Sequence, residues 1–166
     1  MSDYRFVTTT TPDGSFHMII DQHDIVRASG FGPAGHLVQR LDPSMTIKSI
    51  VQLNQHQYQT FITAYYDGDK NALAQIPCHQ MGTDFQTSVW DAMSTIPYGQ
   101  TISYKALAAA SGNPSAIRAA GTICGRNRLV LLVPCHRVLK SDGSVGSYLY
   151  GPAIKESLLR REKAII

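Results

Sequence analysis

Hydrophobic and polar residues alternate in three short segments near the start of the chain, which is the pattern of half-buried β-strands. The segments span residues 5–10, 16–20 and 25–28, and polar turn-forming stretches at 11–14 and 21–24 separate them. Because connections this short join strands that run in opposite directions, we expect two antiparallel hairpins.

A helix is predicted further along, where apolar side chains recur every three or four positions from Tyr58 to Tyr65. Asp67 and Gly68 interrupt this spacing and should end the helix. Its apolar face is expected to pack on the sheet, so the first half of the chain should be a small sheet covered by a helix.

The second half of the chain is mostly helical by the same criterion. Thr83 and Gln86 have the spacing of a capping box, and the apolar positions after them predict a helix that ends near Ser94. A shorter helix should begin after Ser103 and continue through Ala110.

Another helix is expected soon afterwards, with Asn113 as its cap, Pro114 as its first residue and an end near Cys124. Two short helices joined by a turn that contains Gly112 form the outline of a helix-turn-helix. The second helix has small side chains around one large cation, Arg118, which suits close approach to a DNA groove. Close packing against another helix explains the small side chains equally well.

A candidate nucleophile follows an apolar run at residues 129–133, which is predicted to be a buried strand or extended segment. Pro134 should turn the chain and present Cys135. The neighbouring His136 can act as a base toward the thiol, and Arg137 favours the thiolate. The alternative is a small buried side chain beside a structural histidine.

The same three residue types, Pro-Cys-His, also occur at residues 77–79, so the tripeptide alone is not diagnostic. The two copies differ in context. Cys78 lies in an acidic part of the chain, Gln80 stands where the other copy has Arg137, and no buried apolar run precedes it.

A carboxylate near the end of the chain is the third candidate group. Pro152 opens a predicted terminal helix, and at about 100° per residue Glu162 falls between Leu158 and Leu159 on its apolar stripe. A buried carboxylate needs a partner, and His136 would complete a Cys-His-Glu chain. A frayed helix end that leaves Glu162 in solvent is the alternative.

Composition limits the class of protein. The chain has 166 residues, 43% hydrophobic and 16% charged, which excludes disordered, collagen-like and coiled-coil proteins and allows one compact unit or two small subdomains. No apolar run is long enough to span a membrane, and the start lacks a signal-peptide core, so neither membrane insertion nor secretion is expected. Three cysteines fit a reducing compartment, the cytoplasm or a nucleus. The histidines and Cys78 lack paired zinc-ligand spacing, so we expect no metal.

Charge is unevenly distributed along the chain. Residues 1–84 contain five Lys and Arg against eight Asp and Glu, a net charge of −3, whereas residues 85–166 contain ten against four, a net charge of +6. A basic half favours a polyanionic partner, although a merely solvated surface gives the same count.

The motifs between residues 83 and 162 resemble those of the O6-alkylguanine-DNA alkyltransferase family, in order and at fitting spacings. The resemblance covers roughly half of the chain. It is carried by Phe85-Gln86-x3-Trp90, Ile96-Pro97-Tyr98-Gly99, Ser103-Tyr104-x2-Leu107-Ala108, Arg118-Ala119-x-Gly121, Asn127, Val133-Pro134-Cys135-His136-Arg137-Val138, Gly146-x-Tyr148 and Lys155-x2-Leu158-Leu159.

The resemblance implies an α+β fold. Residues 1–80 would form a small N-terminal ribonuclease-H-like antiparallel sheet with helices, for which only the hairpin-rich pattern gives support. Residues 81–166 would form a mostly helical C-terminal domain that contains the helix-turn-helix, binds DNA and accepts the alkyl group.

The resemblance also implies a chemistry. Cys135 resembles the family's acceptor thiol, with His136 and Glu162 relaying its proton through a water, and Asn127 resembles the residue that fixes the turns around the site. A methyl or other alkyl group would pass from O6-alkylguanine in flipped-out DNA to the cysteine. Because the product is a stable thioether, each molecule would act once, and no cofactor is needed.

Double-stranded DNA, bound through its minor groove, is the implied partner. The expected contacts are Tyr104, Arg118, Ala119, Gly121, Arg128 and Arg137. Arg118 resembles the finger that fills the space left by an extruded nucleotide, and Tyr104 the tyrosine that contacts the flipped guanine and the neighbouring phosphate. Arg128 stands where the family usually has proline. We expect a monomer and leave cooperative binding along DNA open.

The loop after Gly146 is implied to form the wall of the alkyl pocket. The expected pocket residues are Val138, Tyr148, Leu149 and Tyr150. Many members of the family have small residues where this chain has Leu149 and Tyr150, so the size of the pocket should differ from theirs.

Two other classes of function compete with transfer. Binding-only alkyltransferase-like proteins replace the cysteine, commonly by tryptophan, and Cys135 argues against that class. A papain-like cysteine hydrolase requires a histidine far from the cysteine in sequence, which this chain does not suggest.

Overall fold

The computed structural model describes residues 3–165, which form two compact units. The N-terminal unit comprises the chain up to Gln80 together with Arg128–Leu132, and the C-terminal unit comprises Met81–Asn127 and the chain from Val133 onward. The elements in chain order are β1 (Asp3–Thr11), β2 (Gly14–Ile20), β3 (Val26–Gly30), α1 (Ala34–Gln39), β4 (Ser49–Leu53), α2 (Tyr58–Tyr66), α3 (Asp84–Ser94), β5 (Ile102–Ser103), α4 (Tyr104–Ala110), α5 (Ile117–Gly125), β6 (Val138–Leu139) and α6 (Pro152–Arg161). Leu73–Gln75 and Cys135–Arg137 form short 3-10 turns.

The N-terminal unit is built on a four-stranded sheet with the order β3-β2-β1-β4. Strand β2 runs antiparallel to both β1 and β3, as the two hairpins predicted from the sequence require. Strand β4 pairs in parallel with β1 at the edge of the sheet. The sequence did not predict β4, because most of its residues are exposed and no alternation of burial marks it. The α+β class is confirmed.

Helices cover this sheet and close its core. Helix α2 occupies the predicted segment and ends at Tyr66, followed by its C-cap Asp67 and by Gly68 with a φ of +100°. The apolar cluster beneath α1 consists of Tyr4, Phe6, Ile19, Ala28, Leu37 and Leu41.

The C-terminal unit begins with α3, whose capping box is formed as predicted. The Thr83 hydroxyl accepts a hydrogen bond from the Gln86 backbone, and the Gln86 side chain accepts one from the Thr83 backbone. Helix α4 follows with Ser103 as its cap, since its hydroxyl accepts from the Ala106 backbone at 3.0 Å. Both helices pack against α5.

Helix α5 begins at Ile117, three residues later than predicted. Asn113 does not cap it. The carbonyl of Asn113 closes a turn with the Ala116 N–H at 3.0 Å, and its side-chain oxygen accepts from the Ser115 hydroxyl at 2.9 Å. Because these contacts occupy both oxygens of Asn113, the chain makes a turn at Pro114 rather than the first turn of a helix.

The apolar run before Pro134 is extended but is not a regular strand. Ser29 of β3 donates its backbone N–H to the Arg128 carbonyl and its hydroxyl to the Val130 carbonyl, which fixes Arg128–Leu132 in the N-terminal unit. Leu131 then adopts a φ of +76°, which breaks the extended conformation. Among residues 3–165, no helix combines the length and apolarity needed to cross a membrane.

Candidate active site

Cys135 lies on a tight 3-10 turn that the preceding residues hold in place. Its backbone N–H donates to the Val133 carbonyl at 2.8 Å, and the Arg137 N–H donates to the Pro134 carbonyl at 3.0 Å. The fully buried Asn127 donates its side-chain amide to the same Val133 carbonyl at 2.8 Å. The end of α5 and the cysteine turn are therefore tied together by one side chain.

The neighbouring histidine is completely buried and bound to a carboxylate. His136 Nε2 lies 2.8 Å from Glu162 Oε1. Arg137 donates to the same carboxylate with two nitrogens, Nε to Oε2 and Nη2 to Oε1, both at 2.9 Å. Its third nitrogen donates to the Ile96 carbonyl at 2.7 Å. Glu162, only 2% exposed at the end of α6, thus binds both residues that follow the cysteine.

Electrostatics fix the protonation states of this group. Burial alone would raise the pKa of Glu162, but hydrogen bonds from His136 and Arg137 outweigh it and lower that pKa to about 2. Burial lowers the pKa of His136 below its ordinary value of 6.5, against the opposing effect of Glu162. At neutral pH the pair is therefore an ionised glutamate and a neutral imidazole.

These states also fix the tautomer of the histidine. An ionised carboxylate only accepts hydrogen bonds, so Nε2 of the neutral ring carries the hydrogen and donates it to Glu162. The other ring nitrogen, Nδ1, is then an unprotonated acceptor. It is buried and has no hydrogen-bond partner within the described part of the chain. A base with a free lone pair thus lies on the residue next to the cysteine.

Lys155, which belongs to one of the motifs shared with the family, is a cation whose burial the sequence did not predict. Its side chain, 1% exposed, donates from Nζ to the Val138 carbonyl at 2.7 Å and to the Ser147 carbonyl at 3.4 Å, and lies 5.8 Å from the centre of the Tyr104 ring. Burial lowers its pKa, and the thiols of Cys124 and Cys135 oppose that shift. Lys155 therefore links β6 to the loop before α6 and holds its ammonium group near two thiols.

The two other cysteines differ from Cys135 in their surroundings. Burial raises the pKa of the Cys124 thiol, whose sulfur lies 3.8 Å from the Cys135 carbonyl. Burial also raises the pKa of Cys78, to about 11, so this thiol stays protonated at neutral pH. Neither cysteine is followed by a buried histidine bound to a carboxylate: Cys124 precedes Gly125, and His79 contacts Arg27 at 2.9 Å.

A cavity of about 730 Å³ opens between α4, α5 and the segment after β6. It is lined by Tyr104, Ser115, Ile117, Arg118, Gly121, Thr122, Lys140 and Ser147. A Cβ added at Gly121 would lie 3.6 Å from the Tyr104 ring, an ordinary contact distance, so the ring packs beside α5 at this position. Burial, together with the thiols of Cys124 and Cys135, raises the pKa of Tyr104 to about 12.

The structure distributes the expected DNA contacts over three environments. Tyr104, Arg118 and Gly121 line the cavity, and Ala119 is exposed on α5. Arg128 belongs to the N-terminal unit, where its guanidinium lies 3.7 Å from Asp42.

The prediction that Arg137 contacts DNA does not agree with the structure. Arg137 was expected to contact DNA, but its side chain is buried and its nitrogens bind Glu162 and Ile96. A guanidinium held in this way positions the carboxylate beside the histidine and is not available to a phosphate.

The expected pocket residues lie next to the cavity in sequence but do not line it. Val138 is fully buried in β6, and its carbonyl accepts from Lys155. The Tyr148 and Tyr150 rings meet edge to face at 6.2 Å, while Leu149 between them is 47% exposed. Residues 3–165 contain no cluster of three or more histidine, cysteine, aspartate or glutamate side chains able to hold a metal ion.

Residues 84–164 match the family model of the 6-O-methylguanine DNA methyltransferase DNA-binding domain. The C-terminal unit, with its cysteine turn, thus falls in the class of DNA-binding domains of methyltransferases. A methylated-DNA–protein-cysteine methyltransferase of Mycobacterium bovis is 38% identical over 123 residues, 74% of this chain and 68% of that protein. The chain therefore belongs to the O6-methylguanine-DNA methyltransferase family.

Two further relatives show how far the similarity extends. The regulatory protein Ada of Salmonella typhimurium is 44% identical over 93 residues, 56% of this chain, which spans about a quarter (26%) of that longer protein. The crystal structure of Mycobacterium tuberculosis OGT in complex with DNA is similar over 96% of this chain and 93% of that chain, with 28% identity and a TM-score of 0.77. The similarity of fold therefore includes the N-terminal unit.

Proposed function

We propose that the protein repairs DNA by transferring a methyl or other alkyl group from O6-alkylguanine to its own Cys135. The observation that carries this proposal is the buried pair of His136 and Glu162, closed by Arg137, directly after Cys135 in a member of this family. A nucleophile needs a neighbouring base that a third group orients, and these residues supply all three parts.

In the proposed reaction Cys135 loses a proton and gains the alkyl group. The Cys135 proton passes through a water to the free Nδ1 of His136, and Glu162 stabilises the imidazolium that forms. The thiolate attacks the alkyl carbon, so a sulfur–carbon bond forms as the bond between that carbon and O6 of guanine breaks. The guanine anion takes up a proton, which balances the one lost by the thiol. Since the site contains no group that cleaves a thioether, each molecule acts once, without a cofactor.

The cavity beside α5 is the proposed place of the modified base. Its volume of about 730 Å³ is in the usual range for small-ligand sites, and Tyr104 and Arg118 both line it. An O6 atom inside a base stack is out of reach of the thiol, so the nucleotide must turn out of the duplex, and Arg118 fills the space that it leaves. The α4–turn–α5 segment then acts as a helix-turn-helix that approaches the minor groove through its small side chains.

Duplex DNA with an alkylated guanine is therefore the proposed partner, bound by a monomer in the cytoplasm, or in the nucleus of a eukaryotic cell. A similar structure was solved in complex with DNA, which supports this assignment. Recognition of the lesion without transfer is the competing function, and the presence of Cys135 with its base favours transfer.

Intact mass before and after mixing with O6-methylguanine duplex tests the proposal. We expect one methyl group per molecule, at Cys135 and at no other residue. Cys135→Ser should abolish transfer but retain DNA binding, because a hydroxyl is a far weaker nucleophile at neutral pH. Cys78→Ser, the matched control, should transfer normally. Multiple turnovers, or methyl on Cys78, would contradict the proposal.

A further inference from the structure

A second cation, Lys140, faces the cavity from the segment after β6. Its backbone is fixed by a tight turn: the Lys140 N–H donates to the Ser144 carbonyl at 3.1 Å, and the Gly143 N–H donates to the Lys140 carbonyl at 2.9 Å. The nearby Asp142 carboxylate accepts from the backbone and hydroxyl of Ser144, at 2.9 and 2.6 Å. The turn therefore fixes the backbone of Lys140, and Ser144 occupies the Asp142 carboxylate.

The stem of Lys140 lies along Gly146 and beside the hydroxyl of Tyr104. A Cβ placed on Gly146 would be 3.5 Å from Lys140 Cγ, 3.7 Å from Lys140 Cε and 3.8 Å from Tyr104 Oη. Gly146 has a φ of +75°, a backbone conformation that favours glycine. The side chain thus passes along one wall of the cavity at the level of the tyrosine hydroxyl.

The charge that lines the cavity is entirely positive. Lys140 and Arg118 are its ionised lining residues, and the remaining lining side chains offer hydroxyl groups or apolar surface. No ion pair within residues 3–165 involves Lys140 or Arg118, and the electrostatic effect of Lys140 falls on the pKa of Asp142, which the Ser144 hydrogen bonds lower more strongly. Two cations from separate parts of the chain, in a cavity that hydroxyl groups also line, make a site for an anionic ligand.

We propose that Lys140 binds a backbone phosphate of the strand that presents the modified base to this cavity. The inference rests on the proposed function, because a nucleotide turned out of a duplex brings a phosphate with its base. Lys140 approaches from the β6 side of the cavity and Arg118 from α5, so they contact different parts of the strand. Lys140 is therefore a positioning residue for duplex substrates and takes no part in the transfer of the alkyl group.

Salt dependence of DNA binding gives the first test. Each neutralised phosphate adds about 0.9 to the slope of log affinity against log salt. Lys140→Ala should reduce the slope by about this amount and weaken binding about fivefold at low salt, whereas Lys140→Arg should keep the wild-type slope. Lys48→Ala removes an exposed lysine of the N-terminal unit and is the matched control. A Lys140→Ala slope equal to that of wild type would overturn the proposal.

Neutral methylphosphonates, placed one at a time at the linkages around an O6-methylguanine, locate the contact. At one linkage the wild-type single-turnover rate should fall to the rate of Lys140→Ala, and Lys140→Ala itself should not respond there. Equal losses in both proteins at every linkage would overturn the proposal. Free O6-methylguanine base carries no phosphate, so Lys140→Ala should slow its reaction less than it slows the reaction of the duplex.

The same samples separate this inference from the proposed function. Methylated Cys135 in the wild type, with no difference between the wild type and Lys140→Ala, rejects the role of Lys140 and retains repair. No methylated Cys135 in the wild type rejects repair, and the salt slopes measured on undamaged duplex still decide whether Lys140 contacts a phosphate.

Discussion

At the scale of single residues, the Glu162 carboxylate has two partners, His136 and Arg137. One oxygen holds His136 in the tautomer that leaves Nδ1 free, and both oxygens bind the guanidinium of Arg137. The guanidinium supplies the positive charge that keeps the buried carboxylate ionised, so the histidine can remain neutral. In the proposed mechanism, a basic residue two positions after the nucleophile thus acts on it indirectly, through the acid that orients its base.

Replacing Glu162 with glutamine should make stability less dependent on pH in acid. The pKa of Glu162 lies at about 2, below its ordinary value of 4.5, so ionisation stabilises the folded state above pH 4.5 and this contribution is lost as the pH falls toward 2. The shift corresponds to about 3 kcal/mol at neutral pH. Urea denaturation of Glu162→Gln should show a loss of this order at pH 7 and a much smaller loss at pH 3.

Glu156→Gln is the control for that measurement. Glu156 lies on the same helix and pairs with Arg160 in solvent, where an ion pair contributes little. Its replacement should leave the unfolding free energy nearly unchanged at both pH values. A constant loss in Glu162→Gln from pH 7 to pH 3 would show that packing, and not ionisation, is the contribution of Glu162.

The pH dependence of transfer should report the histidine. Burial lowers the pKa of His136 below 6.5, so its neutral form persists to lower pH than that of a histidine in water. Single-turnover rates should therefore hold down to about pH 6.5 and fall only at lower pH. A loss of rate centred at or above pH 6.5 would mean that His136 is not the base.

Periodicity predicted some of these residues and missed others. It placed Glu162 between Leu158 and Leu159, and the carboxylate is buried in the structure. The same stripe includes Lys155, three and four positions before those leucines, but lysine is so rarely buried that its position alone gave no warning. The burial of Arg137 was not predictable, because its partners lie 41 residues before it and 25 after it.

At the scale of elements, the segment from Gly146 to the start of α6 contains neither helix nor strand. Gly146 and Gly151 both have positive φ, and between them the Tyr148 and Tyr150 rings stack edge to face. Lys155 anchors one carbonyl of this segment from within α6. The segment therefore has fixed ends and bulky side chains between them.

Tyr150 should make transfer selective for small alkyl groups. If this segment forms the wall of the alkyl pocket, the ring occupies space that a large adduct needs, and each 1.4 kcal/mol or so of steric mismatch costs about tenfold in rate. Tyr150→Gly should accelerate the benzyl reaction more than the methyl reaction, and Tyr150→Phe should not. Single-turnover rates for both adducts decide this. Equal slowing of both reactions by Tyr150→Gly would show that the tyrosine has a structural role.

Element boundaries were predictable where local chemistry sets them. The Thr83 capping box and the Ser103 cap each start a helix where the sequence places it. The start of α5 was wrong because Asn113-Pro114 also suits a turn, and contacts within residues 113–116 favour the turn. Strand β4 was missed because an exposed edge strand is specified by pairing with β1, which a local pattern does not contain.

At the scale of the whole molecule, the boundary between the acidic and basic halves of the sequence does not coincide with the boundary between the two folded units. Arg128 belongs by fold to the N-terminal unit, although by sequence it falls in the basic half. The motifs of the family also lie in one half only, so the sequence indicated the function from the C-terminal unit, while similarity to a solved structure extends over 96% of the chain.

Binding to duplex DNA should weaken steeply as salt rises, because the basic half of the chain carries a net charge of +6. For four phosphate contacts, affinity should fall about a hundredfold between roughly 50 and 200 mM salt. Fluorescence anisotropy with a labelled duplex measures this. An affinity that does not respond to salt would show that the basic half is merely solvated surface.

The path of the chain through Arg128–Leu132 determines whether the two units can be separated as fragments, either in an experiment or by genetic recombination. The chain passes between the units three times, after residues 80, 127 and 132, so no single break in the gene separates them. A fragment that starts at residue 81 would carry Leu129, Val130 and Leu131, all fully buried, without the strand β3 that pairs with this segment. Such a fragment would expose an apolar stretch a few residues before Cys135 and would tend to aggregate. The segment that leads to Cys135 therefore depends on the N-terminal unit for the burial of its apolar side chains.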